Sequence, residues 1–438
     1  MSSRLSAPQL IVLAFAGVVT IGMLLLKLPF ASTGLSWLDA FFLSVSAVCV
    51  TGLSPVTIPS TLTISGQTIL VVLVQVGGLG IMTAATVGAL LVRSRLGFRH
   101  LLTVREELGS PDAPRNVLRL IGQVALVTIA LELVGVVFLT IRFAADGMGL
   151  VSALGHGVFH AITAFCNAGF SNLEEGLYPY AGDWAMTSIF VILIVAGGLG
   201  FPVLINLYGY PHSHHLNLHT KLVLVASAVL LAVGIASFAA LEWTNAETLG
   251  GETISTKLAE SVFQGVTPRT AGFQTVDYTA LREPTLTVQT VLMFIGAAPV
   301  STGGGIKVTT VALIFMILVA QGRGEREVSA FGRRVSGTLV SEVLALSSVA
   351  VLIVAGASMA LMISDGLPML PAFFEVTSAF GTVGLSLDVT PELSSFGKIL
   401  IALVMFAGRV GTITLILALA ERAKPRRYTY PEEDIAVG

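Results

Sequence analysis

The sequence predicts an all-α polytopic membrane fold, and three observations predict it. Of the 438 residues, 54% are hydrophobic and 11% charged, with a mean hydropathy of +0.87, far more apolar than a soluble domain. Apolar stretches long enough to cross a hydrocarbon core, which takes about 20 residues, recur over about 8–28, 66–92, 117–141, 184–208, 218–241, 285–320, 338–364 and 396–420. Finally, a shorter apolar segment ends four times in a turn centred on one glycine: Val50-Thr51-Gly52-Leu53, Asn167-Ala168-Gly169-Phe170, Thr270-Ala271-Gly272-Phe273 and Thr382-Val383-Gly384-Leu385. Those glycines lie 117, 103 and 112 residues apart, the signature of an internal repeat.

Four tandem units follow, each a helix, a pore helix, a filter turn and a second helix, arranged with pseudo-fourfold symmetry around a central pore. Repeat 1 (1–95) opens with a stretch preceded by Arg4. It is read as a retained span rather than a cleaved signal peptide, because it is long and no small-x-small site follows. The short segment 37–50 leads to Gly52, and the second span closes the unit. Repeat 2 (96–210) carries Glu132 in its third span, a short segment over 154–167 and Gly169. Repeat 3 (211–325) has its short segment at 256–269 before Gly272; repeat 4 (326–438) has one at 370–382 before Gly384, then a C-terminal tail. Phe41, Phe42, Phe159, Phe263, Phe373 and Phe374 fall in the first halves of the short segments, where they wedge these against the flanking spans.

Charge orients the chain. Arg93, Arg95, Arg99, Arg105, Arg115 and Arg119 follow the second span, Arg323, Arg326, Arg333 and Arg334 the sixth, and Arg422, Lys424, Arg426 and Arg427 the eighth. These ends are cytoplasmic by the positive-inside rule, as are both termini. Opposite them stand Glu174, Glu175, Asp183, Asp277, Asp388 and Glu392, with only Arg282 and Lys398 among them; an acidic outer rim raises local cation concentration. The net charge of −2 gives no reason to expect a nucleic-acid partner.

Non-helical backbone at membrane depth must be buried in protein or face water, so the four turns line a central aqueous path. Glycine admits φ > 0 and turns carbonyl oxygens to a shared axis, where rings of carbonyls replace the hydration shell of a potassium ion. The pore helices add the negative ends of their dipoles. The preceding pairs, Val50 and Thr51, Asn167 and Ala168, Thr270 and Ala271, Thr382 and Val383, share no side chain, which suits a backbone site. One glycine per turn implies a short filter.

The sixth span contains Pro299, Ser301, Thr302, Gly303, Gly304, Gly305 and Lys307. Proline removes a donor and each glycine costs about 1 kcal/mol against alanine, so the span opens into a loop halfway across. Lying 25 to 30 residues beyond Gly272, the loop is placed to gate the path from the cytoplasmic side. No Gly-Lys-Ser/Thr follows, which excludes a phosphate loop. Arg409 lies inside the last span, too deep to snorkel, about 16 Å of helix before Glu421. It acts either as an electrostatic barrier or through carbonyls of the loop; Lys307 either snorkels or pairs. Cys49 and Cys166 each precede a filter glycine by three residues and read as small packed hydrophobes. His156 and His160 read as pore-helix packing, Glu132 as paired to a neighbouring helix, and Arg269 as a brace for the third turn. His212, His214, His215 and His219 read as a solvated loop.

Four such units in a chain of this length, with one filter glycine each and no extra N-terminal spans, resemble the membrane subunit of the Ktr/Trk/HKT superfamily of potassium transporters, the Ktr type most closely. The resemblance covers nearly the whole chain. It implies a potassium-conducting subunit of a bacterial uptake system, with K+ at the filter, Na+ as an activator, and an intramembrane gate loop at 301–307 with Arg409 beneath the filter. It further implies a homodimer in the inner membrane, surrounded by lipid, above a cytosolic ring of nucleotide-binding, RCK-type regulatory subunits that dock on the basic loops at 93–119 and 321–334. The acidic tail at 432–438 joins the dimer contact. In plant relatives that prefer sodium the first filter position is often Ser; Gly52 favours potassium. The alternatives are a secondary solute transporter with discontinuous helices, which calls for paired breaks in inverted halves, and a less selective sodium/potassium channel. An intramembrane enzyme lacks a nucleophile–base pair or ligand set, and no cofactor is expected.

Overall fold

The computed structural model describes residues 7–93, 117–325 and 327–411. The basic residues Arg95, Arg99, Arg105 and Arg115, Arg326, and the tail with Arg422, Lys424, Arg426, Arg427 and the acidic segment 432–438 lie outside the described residues.

Helices occupy the expected stretches. In the first quarter these are α1 (Ala7–Leu26), α2 (Trp37–Val48) and α3 (Ile64–Arg93); in the second, α4 (Val117–Ala145), α5 (Leu150–Phe165), α6 (Trp184–Leu199) and α7 (Phe201–Ser213). The third has α8 (Leu218–Glu242), α9 (Ile254–Val266), α10 (Glu283–Phe294) and α11 (Val308–Gly322); the fourth, α12 (Gly337–Ser364), α13 (Met369–Gly381) and α14 (Ser395–Val410). A hairpin between α11 and α12, β1 (Ser329–Ala330) against β2 (Arg333–Arg334), was not anticipated.

Caps fix the helix starts. Asn217 accepts from the Thr220 amide at 2.7 Å to begin α8, Asp183 from Ala185 and Met186 to begin α6, and Ser394 from Gly397 to begin α14, each satisfying an orphan helix donor. Among the described helices, α4 (from Gly122), α8 and α12 (from Leu339) are long and apolar enough to cross a bilayer singly. They expose Leu126, Ile141, Val229, Leu352 and Ile363, a surface suited to lipid and costly in water.

The short helices α2, α5, α9 and α13 are buried instead, each packed on the long helix before it: α1, α4, α8 and α12. The second helix of each quarter also packs on the short helix of the next: α3 on α5, α6 on α9, α10 on α13, and α14 back on α2. That last contact closes the ring, and Lys398 of α14 pairs with Asp39 of α2 at 2.7 Å across it.

The fourth span departs from expectation. Rather than one helix over 184–208, α6 and α7 meet at a 102° bend where Gly200 takes φ +81°. Pro202 starts the new helix at a position where its missing N–H is harmless.

Candidate functional site

The four turns meet as a closed ring. A Cβ built on Gly52 would stand 2.3 Å from the carbonyl oxygen of Ala168, one on Gly169 3.0 Å from that of Ala271, one on Gly272 2.0 Å from that of Val383, and one on Gly384 2.2 Å from that of Thr51. Each glycine therefore abuts the carbonyl just before the next glycine, in chain order and back to the start. All four take positive φ: +101°, +64°, +76° and +97°. A side chain would meet both a backbone penalty and a carbonyl.

Each turn holds a second left-handed residue two places earlier: Val50 (φ +57°), Asn167 (+60°), Thr270 (+68°) and Thr382 (+49°). For β-branched residues this is a strained geometry worth about 1–3 kcal/mol each, kept only where the surroundings dictate it. The short helices dictate it. The Thr51 and Val383 amides donate to the Ser46 and Ser378 carbonyls, both at 2.8 Å; the Gly52 and Gly384 amides donate to the Ser46 and Ser378 hydroxyls, both at 3.1 Å. Ala168 N–H donates to the Thr163 carbonyl at 2.7 Å. In the third turn the anchor shifts by one residue, to Thr267, which accepts from Ala271 and Gly272.

Beyond the glycines a vestibule of about 220 Å³ is lined by all four of them and by Ser54, Ser171, Gln274 and Ser386, among others. A polar residue stands two places after every glycine, a spacing visible in the sequence. The segment that follows is tied to its short helix by a polar pair eleven residues apart in three quarters: His160 Nε2 with Ser171 at 2.9 Å, Gln264 with Thr275 at 2.8 Å, and Glu375 with Ser386 at 2.8 Å. Glu375 also accepts from Thr390.

Of the acids expected to form a rim, Asp388 lines this vestibule. Partial burial raises the Asp388 carboxyl above its ordinary value, and Asp277 and Glu392 raise it further. Burial pushes the nearby Tyr178 hydroxyl up to about 12, with Asp277 and Asp388 adding to the effect. The two cations expected among these acids are engaged locally, Lys398 with Asp39 and Arg282 with the Leu241 carbonyl at 2.9 Å.

On the opposite face of the turns, α10 gives way to a loop over 295–307 before α11 resumes. Ser301, Thr302, Gly303 and Gly304 are buried, so their backbone groups need partners. Ala298 and Thr302 amides donate to the Gly198 and Gly197 carbonyls, and Phe201 N–H to the Val300 carbonyl, so the bend between α6 and α7 cradles the loop. Lys307 Nζ donates to the Gly303 carbonyl at 2.7 Å. Arg409 donates to the Thr302 carbonyl and, at 2.7 Å, to the Gly77 carbonyl of α3. Arg409 thus touches a loop carbonyl, and Lys307 bonds a carbonyl of its own loop.

The glycines at 303 and 304 have a steric reason. A Cβ on Gly303 would stand 2.3 Å from Thr270 Oγ1 and one on Gly304 2.5 Å from Thr382 Oγ1, so the loop lies directly against the third and fourth turns. Gly77, Gly197 and Gly408 behave alike: a Cβ there would stand 2.1, 1.9 and 1.9 Å from the carbonyl oxygens of Val48, Phe165 and Phe380. The repeated Gly-Gly-Leu-Gly at 77–80 and 197–200 is the sequence signal of these close approaches.

Cys49, Cys166, Glu132 and His156 are packed or paired as expected. Cys49 and Cys166 are buried free thiols. Glu132 accepts from Gln75 at 3.2 Å, and His156 meets Asn172 at 2.9 Å. Among the described residues no group of three or more His, Cys, Asp or Glu side chains is placed to hold a metal. Arg269 is the exception: rather than bracing its own turn, it donates to the Gly296 carbonyl at 3.3 Å.

Residues 2–427 match the TrkH family, described as cation transport proteins. The chain is 38% identical to the Ktr system potassium uptake protein B of Bacillus subtilis (strain 168), across 99% of this chain and 97% of that protein. It is 37% identical to the protein of the same name from Vibrio alginolyticus, across 98% and 95%, and 34% identical to the potassium/sodium uptake protein NtpJ of Enterococcus hirae, across 99% and 98%. The crystal structure of the potassium transporter TrkH from Vibrio parahaemolyticus superposes with a TM-score of 0.77 over 96% of this chain and 86% of that one, at 19% identity, a likeness of fold. With its apolar helices and closed ring of glycine turns, this chain is not an enzyme but a multi-pass membrane protein belonging to the TrkH family of cation transport proteins.

Proposed function

We propose that the chain is the potassium-conducting membrane subunit of a bacterial Ktr-type uptake system. The observation that carries this reading is the closed ring of carbonyls and positive-φ glycines, with a polar vestibule and acidic residues on one side. In it, K+ passes through a filter of backbone oxygens at Val50, Thr51 and Gly52, Asn167, Ala168 and Gly169, Thr270, Ala271 and Gly272, and Thr382, Val383 and Gly384. The repeats bounded at 1–95, 96–210, 211–325 and 326–438 supply one wall each. The loop carrying Ser301, Thr302, Gly303, Gly304, Gly305 and Lys307, held by Arg409, is the gate. Relatives named as proteins of a Ktr system support assembly with further subunits: a homodimer in the inner membrane, both termini cytoplasmic, above an RCK-type nucleotide-binding ring. Sodium acts as an activator.

The name of the Enterococcus relative, a potassium/sodium uptake protein, favours as second reading a less selective sodium/potassium pathway. One experiment separates them: uptake of rubidium and of sodium by purified protein in liposomes, for wild type and Gly272→Ser. Rubidium uptake that excludes sodium in wild type and loses that exclusion in the variant supports the carbonyl filter. Equal fluxes of both ions in wild type support the second reading, and a variant identical to wild type removes the third turn from the ion path.

A further inference from the structure

Four left-handed residues precede the four glycines, and their side chains are unlike one another. Val50 carries no polar group. Asn167 and Thr270 satisfy each other at 2.9 Å, and with its amide nitrogen turned to the Ala164, Phe165 and Ile194 carbonyls Asn167 accepts from the Thr270 hydroxyl. Thr382 is different: its buried hydroxyl accepts from the backbone N–H of Gly304 at 2.8 Å, a bond spanning 78 residues of chain. It thus joins the fourth turn directly to the loop.

The loop's other contacts hold different atoms. Arg409 and Lys307 take the carbonyls of Thr302 and Gly303, while the amides of Ala298 and Thr302 are bound by the α6 bend. The amide two residues further along, that of Gly304, is held by the turn itself. Gly304 has no side chain because Thr382 Oγ1 and Cγ2 would stand 2.5 and 2.7 Å from a Cβ there. The hydroxyl reaches the amide because Thr382 sits at φ +49° as the cap of α13; an extended residue would aim Cβ elsewhere. A change in the turn's backbone therefore moves the acceptor off the loop, and withdrawal of the loop frees a strained residue to relax.

We propose that Thr382 is a positioning residue that latches the loop shut: its hydroxyl, aimed by the left-handed backbone of the fourth turn, holds the Gly304 amide and couples the shape of that turn to closure. This rests on reading the turns as the filter and the loop as the gate. The coupling works in both directions, as linkage requires. A turn held in shape by its ion keeps the acceptor in place; an open loop leaves the turn with one constraint fewer.

The test compares wild type, Thr382→Val, Thr382→Ala and Thr382→Ser in liposomes without any partner protein. It reads rubidium uptake and, separately, amide hydrogen exchange over 301–308. Val keeps the β-branched shape and removes the acceptor; Ala removes it without shape constraint, should Val fold poorly; Ser restores it. Loss of one buried hydrogen bond predicts roughly a fivefold rise in partner-free uptake and a similar loss of Gly304 protection in Val and Ala, with Ser close to wild type. Val and Ala matching wild type in both readouts overturns the latch, as does Ser behaving like Val. Exchange needs no flux, so protection lost with no ion movement in any variant, wild type included, overturns the conduction reading and leaves the latch standing. Increased flux with protection intact overturns the latch alone.

Discussion

Arg409 shows how one residue's cost is met by its surroundings. A guanidinium in the membrane interior is expensive unless it faces water or finds acceptors, and Arg409 finds the Thr302 and Gly77 carbonyls. It follows Gly408 as Gly78 follows Gly77 and Gly198 follows Gly197, so the first two quarters carry glycine where the fourth carries an arginine. Arg409→Met fills a similar length without donors and leaves two buried carbonyls unsatisfied, each at about 1–3 kcal/mol. The expected result is a several-fold rise in partner-free rubidium uptake together with a lower melting temperature in detergent. Unchanged uptake and melting would mean the loop is held without it. Both the position of Arg409 and the oddity of a charge there were legible in sequence; its two acceptors were not, because they come from quarters more than 100 residues away.

Among the elements, the short helices were read correctly as four segments leading into glycine turns, and the helices observed match those segments within a few residues. What periodicity did not reveal is how each helix disciplines its turn. Glu375 of α13 accepts from Ser386 and Thr390 on the segment that leaves the vestibule, and His160 and Gln264 hold the equivalent segments. Glu375→Ala strands both hydroxyls and relaxes the fourth turn, at about 1–3 kcal/mol. The measurements are thermal melting and the ratio of rubidium to sodium uptake, both expected to fall, with Glu375→Gln in between. A variant that melts lower yet keeps the ratio would restrict Glu375 to stability. The broken fourth span was missed because Gly200 and Pro202 sit in a continuous apolar run. Hydropathy registers burial and is indifferent to a bend whose purpose is to offer the Gly197 and Gly198 carbonyls to a loop from another quarter.

For the whole molecule, the ring from α2 through α14 brings acids of different quarters to one mouth. Asp388 holds its proton more tightly in the folded protein than in the unfolded chain, through burial and then Asp277 and Glu392. Its ionisation therefore opposes folding at neutral pH, and that penalty disappears as pH falls through the raised value. Ionised, it attracts cations to the vestibule. Uptake at subsaturating potassium should fall roughly twofold as external pH drops through the raised value of Asp388. Asp388→Asn should start at the lower level and lose that pH dependence; a variant that keeps the full pH profile would assign it to another group. The sequence by itself determined the class, the four turns, the glycines within them and the presence of a break in the sixth span, because each depends on local composition, on spacing or on what a Cβ or a proline ring forbids. The tertiary structure alone decided which carbonyl each glycine abuts, where Arg409, Arg269 and Thr382 bond, and that α14 closes on α2. Those contacts join residues distant along the chain, and hydrogen bonds between distant residues leave no period or local preference in sequence.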